Sequence, residues 1–223
     1  MDTENFLQCL NYIQSSSSGK VDSILEKVVP PLAGVLVGFV LNLVYTKIKD
    51  RRVTNNRVQV CHENFESIME DLKQTLGQIA VLFRWLKHGG VCPKVAFPSS
   101  IDSIYIEKHF IEVADQFTKE QRRWVQKVLM NLEAINKKLP DVLDTDSKDQ
   151  FIYSKFLLNL QVQSMVTWKL CGYIKNNKEK ELRDVAILTS CDIASEDIDT
   201  YFALHENAST NNKNLGLAWE TAR

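Results

Sequence analysis

Residues 28–48 read VVPPLAGVLVGFVLNLVYTKI, and this stretch decides the fold. No charged side chain occurs from Val28 to Tyr45, and Asn42 is the one strongly polar residue there. As a helix rising about 1.5 Å per residue, the charge-free run measures roughly 27 Å, close to the hydrocarbon thickness of a bilayer. The sequence therefore predicts a single membrane-spanning helix.

Two other structures compete for this stretch. A core helix of a soluble domain normally has a polar face, and this run has none. A cleaved signal peptide begins with a basic segment and ends at a small-residue cleavage site, whereas here a neutral-to-acidic segment precedes the run and TKIK follows it. An uncleaved anchor fits the pattern better.

The flanking charges predict an orientation. Before the span, residues 1–27 carry two lysines against four carboxylates. After it come Lys47, Lys49, Arg51 and Arg52, followed by Arg57. Because basic flanks stay in the cytoplasm, we expect the N-terminus outside and the C-terminal part inside the cell, with the basic cluster close to the membrane lipid headgroups.

Within the span, small and polar residues recur every fourth position and so share one winding stripe. The set is Pro30, Gly34, Gly38, Asn42 and Thr46. Gly34 and Gly38 form the small-residue spacing that lets two helices approach closely, and the Asn42 amide needs a hydrogen-bond partner in hydrocarbon. The stripe predicts a homo-oligomer associating through Gly34, Gly38 and Asn42, although the same spacing also arises by chance.

Downstream, apolar residues follow the 3.6-residue helical period throughout. The span is expected to continue as a helix to the Gly89–Gly90 pair, and a second helix is expected over residues 102–116. Thr118 and Gln121 have the form of a capping box that opens a third helix, which Pro140 is expected to stop. Residues 148–175 and a short segment after Ser195 complete an all-α helical bundle.

These patterns divide the chain into four parts. Residues 1–27 are an extracytoplasmic segment with a short amphipathic helix at 3–14, and residues 28–48 are the transmembrane helix. Residues 49–205 are the cytosolic helical bundle, and residues 206–223 are a disordered tail. The prolines at 30 and 31 either begin the intramembrane helix or kink it.

Composition limits the classes of function. The 223 residues carry a net charge of −1, so the chain as a whole is not built to bind nucleic acid by charge alone. The five cysteines are widely spaced, with no pair at zinc-binding spacing, and are predicted to be reduced packing residues. No phosphate loop or hydrolase motif occurs, and we predict no metal, no cofactor and no enzymatic activity.

One pattern is an exception to that prediction. Arg57 stands five residues before His62 in RVQVCH, which resembles the arginine–histidine signature of the HEPN ribonucleases. That resemblance implies a dimeric all-α bundle in which Arg57 binds the scissile phosphate and His62 supports attack by the 2′-hydroxyl. Val58 departs from the polar residue usual after that arginine. A membrane-tethered ribonuclease is therefore an alternative function.

The overall plan of one span and a cytosolic helical bundle is similar to small bacterial membrane effectors of anti-phage defence, including retron- and CRISPR-associated proteins. The resemblance implies antiviral defence, in which the bundle responds to a cytosolic protein partner and the assembled spans damage the membrane. A passive membrane scaffold is the remaining alternative.

Overall fold

The computed structural model describes residues 8, 11–12, 21–88, 93–144 and 150–214, with the backbone alone given for 21–30, 143–144, 150–151 and 211–214. Over these residues the chain is all-helical, with no β-strand, which confirms the predicted fold class. The chain divides into two compact units, residues 1–55 and residues 56–223. Most of the amphipathic segment predicted at 3–14 and the Gly89–Gly90 turn lie outside the described residues.

The longest element, α1, runs over Val21–His88 without interruption. The predicted continuation of the helix beyond the span is therefore confirmed. Because α1 begins upstream of residues 30 and 31, the two prolines lie inside the helix and do not begin it.

Five shorter helices follow α1. Helix α2 spans Ile104–Val113 and tightens into a 3-10 turn at Ala114–Gln116, and α3 spans Lys119–Asp144. Helix α4 spans Gln150–Asn176 and packs along α3. Helix α5 spans Asp184–Ser190, and α6 spans Ser195–Asn214.

The core of residues 56–223 is a single apolar cluster. Its largest contributions are the inward-facing positions of α1, α3 and α4, which recur at three- and four-residue steps because the helical repeat is 3.6 residues. These buried residues include Phe65, Ile68, Leu72, Leu76, Ile79 and Phe83 from α1, Val125, Val128, Leu132 and Ile135 from α3, and Leu157, Leu160, Cys171 and Ile174 from α4.

The predicted capping box is present at the start of α3. The Thr118 backbone N–H donates to Gln121 Oε1 at 2.9 Å, and the Gln121 backbone N–H donates to Thr118 Oγ1 at 3.2 Å. Gln121 Nε2 also donates to the carbonyl of Ile174 at 2.8 Å. That carbonyl belongs to the last turn of α4, where carbonyls lack helical donors, so one side chain caps two helices.

Two sequence-based boundaries are wrong. Pro140 does not stop α3, which continues to Asp144. The flanking Leu139 and Val142 are only 2% and 3% exposed, and their burial offsets the one helical hydrogen bond that the proline removes.

The predicted disordered tail also begins too early. Helix α6 extends to Asn214, and Ala208 within it is buried against the core. That contact stabilises a sequence whose polar composition does not predict a helix. Residues 215–223 lie outside the described residues.

Candidate membrane span and flanking residues

The large side chains in the apolar part of α1 are exposed. Leu36, Phe39 and Leu41 are 60%, 60% and 62% exposed, and none of the most apolar window of the helix is buried. From Pro31 onward α1 is long and apolar enough to cross a membrane. It is the one such helix in the described part of the chain.

Helix α4 provides an internal comparison, since it is also rich in apolar residues. Its Leu157, Leu160 and Ile174 are all 0% exposed. An apolar helix in the core of a soluble protein has its side chains covered in this way, because burial of apolar surface drives folding at about 25 cal/mol per Å². The apolar part of α1 lacks that cover.

Gly34 and Gly38 lie on an open surface of α1. A Cβ atom built at either glycine has no neighbour within 4 Å, and Asn42 on the same stripe is exposed. Among the described residues, a Cβ at Gly34 or Gly38 therefore displaces no neighbouring atom. Association of copies through these three residues stays a prediction.

Lys47, Lys49, Arg51 and Arg52 are all exposed on the helix that follows the apolar stretch. Within the described residues, no carboxylate forms an ion pair with any of the four. Their positive charges are available to an anionic surface such as lipid headgroups.

Arg57 and His62 are each engaged with a different neighbour. The Arg57 guanidinium forms an ion pair with Glu112, whose other oxygen lies 3.7 Å from His109 Nδ1. The His62 ring packs on Phe117, with ring centroids 5.5 Å apart. Five residues of helix turn the two side chains about 140° apart. Their use in cleaving RNA stays a prediction.

The remaining titratable residues of the described structure are not grouped as metal ligands would be. Among the described residues, no group of three His, Cys, Asp or Glu side chains is arranged to hold a metal ion. Cys61, Cys171 and Cys191 are free thiols buried in the core, and burial raises the pKa of each, to about 12 for Cys171 and about 11 for Cys191. These three thiols are protonated at neutral pH and are poor nucleophiles.

Two polar clusters of the bundle were not predicted. Arg84 on α1 donates two hydrogen bonds to the buried carboxylate of Asp197 on α6. The Nε–Oδ1 and Nη2–Oδ2 distances are 2.9 and 2.5 Å. Lys138 on α3 donates to two amide oxygens on α4. Both interactions join residues that are distant in the sequence, which is why local patterns did not predict them. For the Lys138 interaction, the only local indication is the four-residue spacing of Asn159 and Gln163.

Comparison with known proteins supplies no relative. No family model, no curated protein and no solved structure matches the chain. What the chain does is therefore inferred from its own residues.

Proposed function

We propose that the chain is a single-pass protein of the bacterial inner membrane that self-associates through its span and binds a cytosolic protein partner with its helical bundle. In the concrete form of this proposal, the assembled spans disrupt the membrane as part of anti-phage defence. Residues 1–27 lie outside the cell and the bundle lies in the cytoplasm.

The observation that carries the proposal is the exposure of the apolar part of α1. Its large side chains, including Leu36, Phe39 and Leu41, are more than half exposed in the described structure. The transfer of a long, continuous set of apolar side chains from water to hydrocarbon is favourable in free energy. Lipid or a second copy of the same helix would supply the missing cover.

Self-association is supported by the stripe of Gly34, Gly38 and Asn42. Without a hydrophobic drive between helices in lipid, close packing at small residues and hydrogen bonds between amides are what hold spans together. Because a Cβ at either glycine meets no described atom within 4 Å, we expect a leucine at either position to leave the fold of the single chain unchanged. Any loss caused by such a leucine would therefore report on contact between copies.

The test is inducible expression of the full chain in a bacterial cell, following membrane potential with a voltage-sensitive dye beside growth. We expect depolarisation with the wild type and its loss with Gly38→Leu. The matched control is Val40→Leu, which introduces the same side chain on the opposite side of α1, and it should depolarise like the wild type. Cross-linking of the same membranes should show oligomers with the wild type and Val40→Leu alone.

The other outcomes identify the alternatives. Growth arrest at intact potential, lost only in His62→Ala, would contradict the proposal in favour of RNA cleavage. A wild type that forms no oligomer and leaves the potential unchanged would contradict it in favour of a passive scaffold.

A further inference from the structure

The four cations that follow the apolar stretch form two pairs on different sides of α1. Lys47 and Arg51 are four residues apart. Lys49 and Arg52 are three residues apart. At these spacings the members of each pair are neighbours on the helix surface. At about 100° per residue, the two pairs point roughly 150° away from each other, so α1 presents two separate positive sites.

Each pair places two like charges side by side without a counter-charge. All four side chains are exposed, and within the described residues none of them forms an ion pair. Like charges one helical turn apart repel each other and destabilise a helix. An anion between the two cations removes this repulsion, and phosphate oxygens accept charge-assisted hydrogen bonds from ammonium and guanidinium groups.

The pairs also lie at a suitable depth for lipid headgroups. The charge-free run ends at Tyr45, which is 68% exposed, and tyrosine is enriched where membranes meet water. From Lys47 to Arg52 a helix rises about 7.5 Å, close to the thickness of one headgroup layer. With the apolar stretch in hydrocarbon, all four cations therefore reach lipid phosphates.

The side of α1 between the two pairs carries a carboxylate. Asp50 follows Thr46 by four residues and so continues the stripe of small and polar residues. At about 100° per residue, Lys47 and Lys49 flank this line on either side. A second copy packed on the stripe would meet Asp50 and leave both pairs of cations open to lipid.

We propose that each pair binds the phosphate of one anionic phospholipid, so that two such lipids flank every copy of α1. Their acyl chains lie along the apolar side chains of the helix. A choline lipid carries its own cation beside the phosphate, so the pairs select lipids whose headgroup has a net negative charge. This inference rests on the membrane span of the proposed function and names the lipid class that the span recognises.

Native mass spectrometry of the full chain released from detergent micelles counts the lipids retained per chain. The probes are phosphatidylglycerol and phosphatidylcholine with the same acyl chains. We expect the wild type to retain two phosphatidylglycerol molecules per chain and to bind phosphatidylcholine at least about tenfold more weakly. The double variant Lys47→Met, Arg51→Met should retain one phosphatidylglycerol, and so should Lys49→Met, Arg52→Met.

The matched control is the double variant Arg123→Met, Lys127→Met on α3. These two residues are exposed and four positions apart, and in the described part of the chain neither forms an ion pair. The control therefore removes the same charges at the same spacing from a site outside the apolar stretch, and it should retain two phosphatidylglycerol molecules. A control that loses as much lipid as Lys47→Met, Arg51→Met would overturn the inference, as would equal retention of the two lipids by the wild type.

The variant Gly38→Leu separates lipid binding from self-association. Because Gly38 lies on the stripe, we expect this variant to retain both phosphatidylglycerol molecules. A wild type that binds both lipids without self-associating would contradict the proposed function alone. Self-association of the wild type without selection between the two lipids would contradict this inference alone.

Discussion

Asp197 is the buried partner of an ion pair in the bundle. Its side chain is 6% exposed, whereas that of Arg84 is 52% exposed. Removing Arg84 leaves a buried carboxylate unpaired, while replacing Asp197 with asparagine keeps an acceptor and leaves a guanidinium that water reaches. We expect Arg84→Ala to lower the free energy of unfolding by about 2–3 kcal/mol and Asp197→Asn by about 1 kcal/mol.

Chemical unfolding in detergent micelles, followed by tryptophan fluorescence, measures both changes. Lys137→Ala, which removes one partner of a fully exposed pair, is the control and should unfold like the wild type. Arg84→Ala with wild-type stability would show that the pair with Asp197 contributes nothing.

Cys171 makes the bundle sensitive to alkaline pH. Burial raises the pKa of its thiol from 9.0 to about 12. The folded state therefore keeps a proton that the unfolded chain loses, so this contribution to stability is complete below about pH 9 and is lost as pH rises toward 12. The expected slope is about 1.4 kcal/mol per pH unit.

Unfolding midpoints measured from neutral pH through this alkaline range check the effect of the Cys171 thiol. Cys171→Ala should be less stable at neutral pH because of the cavity, yet should lose less stability on alkalinisation. Burial of Cys191 and Tyr201 raises the pKa of both, so a shallower decline should remain. Parallel curves for the wild type and Cys171→Ala would rule out Cys171 as a source of the pH dependence.

Among elements, the capping box joins the start of α3 to the end of α4. Thr118→Ala removes one cap bond and should cost about 1 kcal/mol. Gln121→Ala removes the reciprocal bond and also leaves the Ile174 carbonyl without its donor, so its cost should be larger, about 2 kcal/mol. Thermal unfolding followed by circular dichroism ranks the two variants, and an equal or reversed ranking would contradict the second role of Gln121.

The same elements show which structural features are local enough to predict. The cap at Thr118 and Gln121 depends only on residues 118–121, and both of its predicted hydrogen bonds are present. The continuation of α3 past Pro140 depends on burial of Leu139 and Val142 in the core, which no local rule contains. The length of α6 likewise depends on a long-range contact at Ala208.

Candidate sites follow the same division between local and long-range features. The charge-free run and the basic residues after it are continuous in the sequence and were predicted from it. The hydrogen bonds from Lys138 to Asn159 and Gln163 join residues 21 and 25 positions apart in the sequence, so spacing along the chain does not predict them. The Glu112 partner of Arg57 is equally remote, on α2.

For the whole molecule, the central claim is that the exposed apolar part of α1 lies in a membrane. Two arginines in place of Leu36 and Val40 would each cost about 2.5–3.5 kcal/mol at the centre of a bilayer. The control places two arginines at Ile111 and Met130, apolar residues of the bundle that are 83% and 70% exposed. This pair adds the same charge outside the span.

The most direct measurement is an alkaline carbonate wash of membranes from cells expressing the full chain, followed by quantitation of the protein in pellet and supernatant. The account predicts that the wild type and the Ile111→Arg, Met130→Arg control stay in the pellet, whereas Leu36→Arg, Val40→Arg is released. A wild type recovered in the supernatant, or a span variant retained as firmly as the control, would contradict the account.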